Sequence, residues 1–236
     1  MSEESPAATP SPPALSALET RVLGCLIEKE FTTPDVYPLT LNALVNACNQ
    51  RNNRAPLLSV GETEVRAALE LLREKQLVTY FAGADARVPK FRQKLEIVYP
   101  MEPVARALLG ELFLRGPQTT AGLRANAERM KPMPDLAEVE AVLNDLAQRP
   151  AGPLVRKLPR QPGQKEARWV QLLGGEPVEG ADPAPDSAGE RAARATEPLK
   201  VAVTLPAEAE ARIQRLEADV AALREELARL RAALGE

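Results

Sequence analysis

"EVRAALELL", residues 64–72, returns as "EVEAVLNDL" at residues 138–146, with Glu, Val, Ala and Leu at matching positions. In each copy the apolar residues step by three and four: Val65, Ala68, Leu69 and Leu72 in the first, Val139, Val142, Leu143 and Leu146 in the second. That spacing predicts an amphipathic helix, and its recurrence predicts a duplicated unit. Each helix is preceded by a start signal. Ser59-Val60-Gly61-Glu62 reads as a capping box, and Asp135-Leu136-Ala137-Glu138 as a looser version led by aspartate.

The surroundings of the two copies match as well. Upstream of the first, Leu18, Val22, Leu23, Leu26 and Ile27 form one helical stripe, and Leu41, Leu44, Val45 and Cys48 form another after "TTPDVYP". Upstream of the second, Val104, Leu108, Leu109 and Leu112 form a helix, and "TAGLRANAERM" forms the next. Downstream of each repeated helix comes a strand–turn–strand pattern. The first is "LVTYF", "AGADAR" and "VPKFRQKLEIVYP"; the second is "LVRKL", "PRQPGQKE" and "ARWVQLL". Three helices followed by a hairpin is the winged helix-turn-helix order, here in tandem over residues 15–100 and 101–173. The expected fold class is therefore mainly α with small β-hairpins.

"YPLTLNALVNACNQRNNRAPLL", "LRANAERMKPMPDL" and "VRKLPRQPGQKEARWVQLL" resemble the bacterial YceH-like family of tandem winged-helix proteins. The resemblance spans about residues 15–173. It implies the fold and carries no defined biochemical activity with it.

Composition excludes several chemistries. The 236-residue chain has no histidine, so a His-centred triad, an imidazole base and a His-containing zinc site are ruled out. Aromatic residues make up only 3%, which leaves little for base-stacking platforms. Cys25 and Cys48 each lie on the apolar side of a helical pattern and read as buried thiols, with no CxxC motif. Those thiols and the absence of a signal peptide point to the cytoplasm. No apolar run is long enough to span a bilayer. No nucleophile, metal set or phosphate loop emerges, so neither catalytic residue nor cofactor is expected.

Charge is unevenly distributed. Residues 15–173 hold 22 Lys/Arg against 18 Asp/Glu, while the flanks hold 8 against 15. The folded block is thus mildly basic, and its flanks, the Pro/Ser/Ala-rich 1–14 tail and the acidic 174–198 linker among them, carry the excess of acid and are expected to lack a core.

In a winged helix that reads DNA, the start of the third helix enters the major groove. Here it carries Glu62, Glu64 and Arg66, then Glu138, Glu140 and Asn144, and carboxylates are repelled by phosphates. The hairpins carry the cations instead: Arg87, Lys90, Arg92 and Lys94 in the first, and Arg156, Lys157, Arg160, Lys165 and Arg168 in the second. Contacts of that kind track a phosphate backbone with weak sequence choice. They equally serve to block edge-to-edge strand pairing.

The stretch "NACNQRNNRAP" (46–56) also has two readings. Asn42, Asn46 and Asn49 form a polar stripe, and with Arg51, Asn53 and Arg54 they could contact bases and phosphates. Alternatively, their amides order the long connection before the third helix, and this structural use is the favoured one.

In the last segment (199–236), Ile213, Leu216, Val220, Leu223, Leu227, Leu230 and Leu234 form an a/d seam. In a parallel pair, Arg212 would face Glu217, Asp219 would face Arg224, and Glu226 would face Arg231. A parallel homodimer through this helix is expected. The leading functional expectation is a non-enzymatic protein that binds nucleic acid, with double-stranded DNA as the candidate partner, through basic wings, as a regulator or chromosome-associated factor. The alternative is an adaptor whose winged domains bind a protein partner.

Overall fold

The computed structural model describes residues 14–81, 88–160, 164–175 and 229. The helices and strands below belong to one unit; a second begins at Ala192, and within it only Arg229 is described. The C-terminal seam from Ile213 to Leu234, the 1–13 tail and most of the acidic linker lie outside the described residues.

Helix α1 (Ala17–Thr32) opens on a capping box. The Ser16 hydroxyl accepts from the Glu19 amide at 3.2 Å, and the Ser16 amide donates to the Glu19 carboxylate at 2.8 Å. A 3-10 turn (Pro34–Val36) leads to the short strand β1 (Leu39–Thr40) and helix α2 (Leu41–Cys48). The Thr40 hydroxyl caps α2 by accepting from the Ala43 amide. Helix α3 (Glu62–Glu74) is the first of the repeated helices and is followed by strands β2 (Val78–Phe81) and β3 (Lys90–Gln93).

The second copy follows the same order: helix α5 (Pro103–Arg115), helix α6 (Thr120–Ala127), helix α7 (Leu136–Ala147), then strands β4 (Val155–Lys157) and β5 (Trp169–Gln171). The elements α1 to α7, counting the single turn α4 (Leu95–Val98), and two small antiparallel sheets are found among the described residues of this unit. The first sheet runs β1-β3-β2, the second β4-β5. An isolated bridge between Gln118 and Trp169 occupies, in the second copy, the place that the β1–β3 pairing of Leu39 with Phe91 holds in the first.

Two local expectations are corrected. Helix α3 is capped by Gly61, not Ser59: the Glu64 carboxylate accepts from the Gly61 amide at 2.8 Å, and glycine contributes no side chain in return. The aspartate cap of α7 stands, with Asp135 accepting from the Glu138 amide at 2.9 Å. Secondly, "VPKFRQKLEIVYP" is not one long strand. Pairing stops at Gln93, whose buried side chain accepts from the Leu95 amide at 2.6 Å and starts the turn of α4.

The first helices of the two copies pack on each other at the centre. Helix α1 is buried without a break from Glu19 to Glu28, and α5 from Ala107 to Arg115, as expected of helices enclosed on every side. Two glycines permit the close approach. A Cβ on Gly24 would lie 2.9 Å from Phe113 Cβ, and one on Gly110 would lie 2.7 Å from Ile27 Cγ2. The arrangement is reciprocal: in "GCLI" (24–27) and "GELF" (110–113), each glycine receives the apolar residue that follows the other glycine by three. Around this crossing Leu23, Leu26, Leu108, Leu109 and Leu112 close a core that is continuous through both copies. Each such side chain contributes about 1.5–3 kcal/mol on burial.

Enclosing two helices also buries their polar residues, and each of these finds a partner. Glu19 pairs with Lys75, and Arg21 donates to the carbonyls of Cys48 (3.2 Å) and Pro56 (2.6 Å). Glu28 and Glu111, one from each central helix, are joined by Arg129, which donates to Glu28 and, at 2.8 Å, to Glu111. No helix among the described residues is long and apolar enough to cross a membrane.

Candidate nucleic-acid interface

The residues expected to touch nucleic acid divide into four groups. Arg54 is the clear correction. Its side chain is buried, and all five of its N–H donors are used: Nε on the Ala47 carbonyl (3.1 Å), Nη1 on Glu28 (3.1 Å) and the Asn53 carbonyl (2.9 Å), Nη2 on Glu28 (2.5 Å) and Gln50 (3.1 Å). A guanidinium so engaged has nothing left for a phosphate. Burial alone pushes the Glu28 carboxyl up, yet the hydrogen bond and charge of Arg54, with Arg129 and Lys29, hold it below the usual carboxylate range. Across Arg129, burial of Glu111 prevails and its carboxyl is raised.

The connection 49–61 is therefore held from below. Asn49 closes a reciprocal pair with Val60, donating to its carbonyl at 2.8 Å and accepting from its amide at 2.9 Å. The Ala55 amide donates to the Leu114 carbonyl at the end of α5, one of the acceptors a helix terminus leaves open. Asn53 is half-buried with a positive φ of 58°, and its carbonyl serves Arg54. For Asn49, Asn53 and Arg54 the structural use of this stretch prevails. Asn42 and Asn46 are exposed and bonded to each other at 2.9 Å, and Arg51 is exposed.

On the second hairpin, cationic side chains are partly spoken for. Lys157 pairs with Glu140 of α7 at 2.5 Å and lies 5.3 Å from the Trp169 ring centre. Arg168 is half-buried and donates to the Pro117 carbonyl at 3.3 Å, while Arg156 is exposed and has an interaction of its own. Arg160 and Lys165, beside the tip, are exposed.

The first hairpin differs. Phe91 and Gln93 of β3 point into the core, so the alternate residues Lys90 and Arg92 point outward, and both are exposed. Neither is in an ion pair among the described residues. Arg87 lies outside the described residues. Beside these cations stand two residues that the charge pattern passed over, Tyr80 and Phe81 of β2, exposed at 47% and 56%. Two adjacent aromatics closing a strand were the available signal.

The acidic residues of the third helices have local employment. Glu64 caps α3, Glu62 sits in the first turn where negative charge suits the helix dipole, and Glu140 holds Lys157.

These features define a mainly helical protein built from a duplicated three-helix-and-hairpin unit, in which Lys90 and Arg92 of the first hairpin are exposed and free of ion pairs among the described residues and the central Glu28 and Glu111 are held in ion pairs. Residues 15–164 match the family model described as "Protein of unknown function, DUF480", and the chain belongs to that family. It is similar to the UPF0502 protein of Pelobacter propionicus, 50% identical over 217 residues that cover 92% of this chain and 93% of that one. The UPF0502 proteins of Geotalea daltonii (52% identity, 72% and 78% covered) and Cupriavidus metallidurans (50%, 69% and 66%) are likewise similar.

Proposed function

We propose that each three-helix-and-hairpin unit is a winged helix, over residues 15–100 and 101–173, and that the protein binds nucleic acid non-catalytically through its wings. The motif resemblance to YceH-like proteins supports the architectural part of this reading. The observation that carries the functional part is the outward face of β3, where Lys90 and Arg92 are exposed and free of ion pairs among the described residues. Arg160 and Lys165 supplement them. The paired Lys157 is secondary, because its charge is already met by Glu140. Two buried free thiols, Cys25 and Cys48, accord with a reducing cytoplasm. A parallel homodimer through residues 207–236 would bring two such surfaces together and raise apparent affinity.

The test is binding of mixed-sequence DNA at two salt concentrations. Each phosphate contact adds about 0.9 to the slope of log affinity against log salt. Lys90→Glu with Arg92→Glu should weaken binding and flatten the slope by roughly two such contacts, whereas Lys157→Glu should change it little. Undiminished binding by the double variant would remove the proposal. Sedimentation as a monomer at tens of micromolar would remove the dimer.

A second reading, an adaptor for a protein partner, is favoured by the exposed apolar side chains Leu71, Tyr80, Phe81 and Val88. A single stoichiometric protein partner, retained after nuclease treatment, would select it.

A further inference from the structure

We infer that the first hairpin is a stacking platform for unpaired nucleobases, with Phe81 as the ring and Lys90 and Arg92 as its phosphate contacts. The inference rests on the nucleic-acid reading above and names the form of nucleic acid preferred.

The chain has eight aromatic residues: one Trp, three Tyr and four Phe. Phe91, Tyr99, Phe113 and Trp169 are buried, and Phe31 and Tyr37 are half-buried. The remaining two, Tyr80 and Phe81, are neighbours on one strand and are the exposed pair. Scarcity makes this placement informative: a sequence that spends aromatic rings almost entirely on its interior leaves two together on a basic hairpin. The fold does not need Phe81 there, since Leu77 (fully buried) and Val78 (3% exposed) supply the contact of this strand with the core.

The ladder register places the cations around the ring. Phe81 stands directly opposite Lys90, and Thr79 directly opposite Arg92. Directly opposed residues share a face, and so do residues two apart on one strand. Phe81, Lys90, Thr79 and Arg92 therefore form one outward face with the ring at its outer end. Tyr80 lies on the other face, where the Arg73 guanidinium covers its ring at 4.5 Å from the centre. One ring is already stacked on a cation, while the other has no such cover among the described residues.

Ring and charge together suit a single strand better than a duplex. Every base offers a π-face, but in a duplex that face is taken by neighbouring base pairs, so an aromatic platform gains its full contact only from unpaired bases. Groove insertion of α3, which a duplex would require of a helix-reading module, brings exposed Glu62 and Glu64 against phosphates. A single strand laid along the hairpin avoids that repulsion.

The experiment is an anisotropy titration of the full chain with a labelled oligothymidylate and with a duplex of the same length. The wild type should bind the single strand more tightly. Phe81→Ala should weaken single-strand binding by about 5- to 150-fold, the range of one lost stacking contact, with duplex binding nearly unchanged. Its salt slope should stay that of the wild type and its melting temperature should hold, because the ring is exposed; Phe81→Trp should restore binding. Lys90→Glu with Arg92→Glu should lower affinity for both forms and flatten the slope. If Phe81→Ala binds the single strand as the wild type does while the charge variant fails, the platform is refuted and the nucleic-acid reading survives. If the wild type binds neither form at low salt, both fall. A protein partner lost on Phe81→Ala, with no oligonucleotide bound, would overturn the inference in favour of the adaptor.

Discussion

Gly110→Ala is a decisive test of the helix crossing that joins the two copies. In a solvent-facing helix, alanine in place of glycine gains about 1 kcal/mol. Here the added Cβ would sit 2.7 Å from Ile27 Cγ2 and 3.4 Å from Ile27 Cβ. Comfortable carbon–carbon contact is about 3.5–4.0 Å, so one side must retreat by roughly an ångström. Ile27 cannot swing aside, because a β-branched residue in a helix has essentially one rotamer. Overpacking of this kind costs about 1–3 kcal/mol, which cancels the propensity gain and leaves the variant less stable by up to about 2 kcal/mol. Ile27→Leu removes the obstructing Cγ2 at a cost below about 1.5 kcal/mol. In that background Gly110→Ala should be neutral or stabilising, giving a coupling of about 1–3 kcal/mol between the two positions. Urea unfolding of the wild type, both single variants and the double variant measures this. A single Gly110→Ala variant stabilised by about 1 kcal/mol, or additive effects within about 0.5 kcal/mol, would refute the reasoning.

Glu28→Gln strips the charge that Arg54 and Arg129 both require and should cost about 3–5 kcal/mol in urea unfolding, the usual consequence of leaving a buried cation unpaired. The same carboxylate makes stability pH-dependent. The folded carboxyls of Glu19, Glu28 and Glu96 are held below the usual range, burial being outweighed by bonds to Lys75 for Glu19, to Arg54 for Glu28, and to its own amide, Gln93 and Arg106 for Glu96. Their contribution is complete above the unfolded value of about 4.3 and is lost as pH falls through the lower folded values. Raised Glu111 acts in the opposite sense, favouring the fold only once protonated, and is outnumbered. Stability should therefore fall on acidification below about pH 4, and Glu28→Gln should flatten that limb; a variant with the wild-type limb would contradict the assignment. Asn49→Ala leaves the Val60 amide and carbonyl without their partner and should cost about 1–3 kcal/mol, with faster proteolysis confined to residues 50–61. Cleavage unchanged there would show that the bonds of Arg54, Arg21 and the Ala55 amide order the connection without Asn49.

Much of the architecture was legible in local pattern. Three- and four-residue apolar spacing located α1, α2, α3, α5, α6 and α7, and the duplicated "EVRAALELL" and "EVEAVLNDL" paired the two copies, because helix periodicity and strand alternation are properties of short windows. The aspartate cap of α7 was readable for the same reason. What local pattern could not decide was which charges face water. Arg54 sits in a polar run and reads as a surface cation, yet its partner Glu28 lies 26 residues earlier, and Arg129 reaches that same carboxylate across 101 residues. Gly24 and Gly110 carry no local signal of their role; the crossing shows that each is the space another side chain occupies. Periodicity tells a residue which face of its own element it is on; only the packing of distant elements tells that face whether it meets solvent, a carboxylate or another helix.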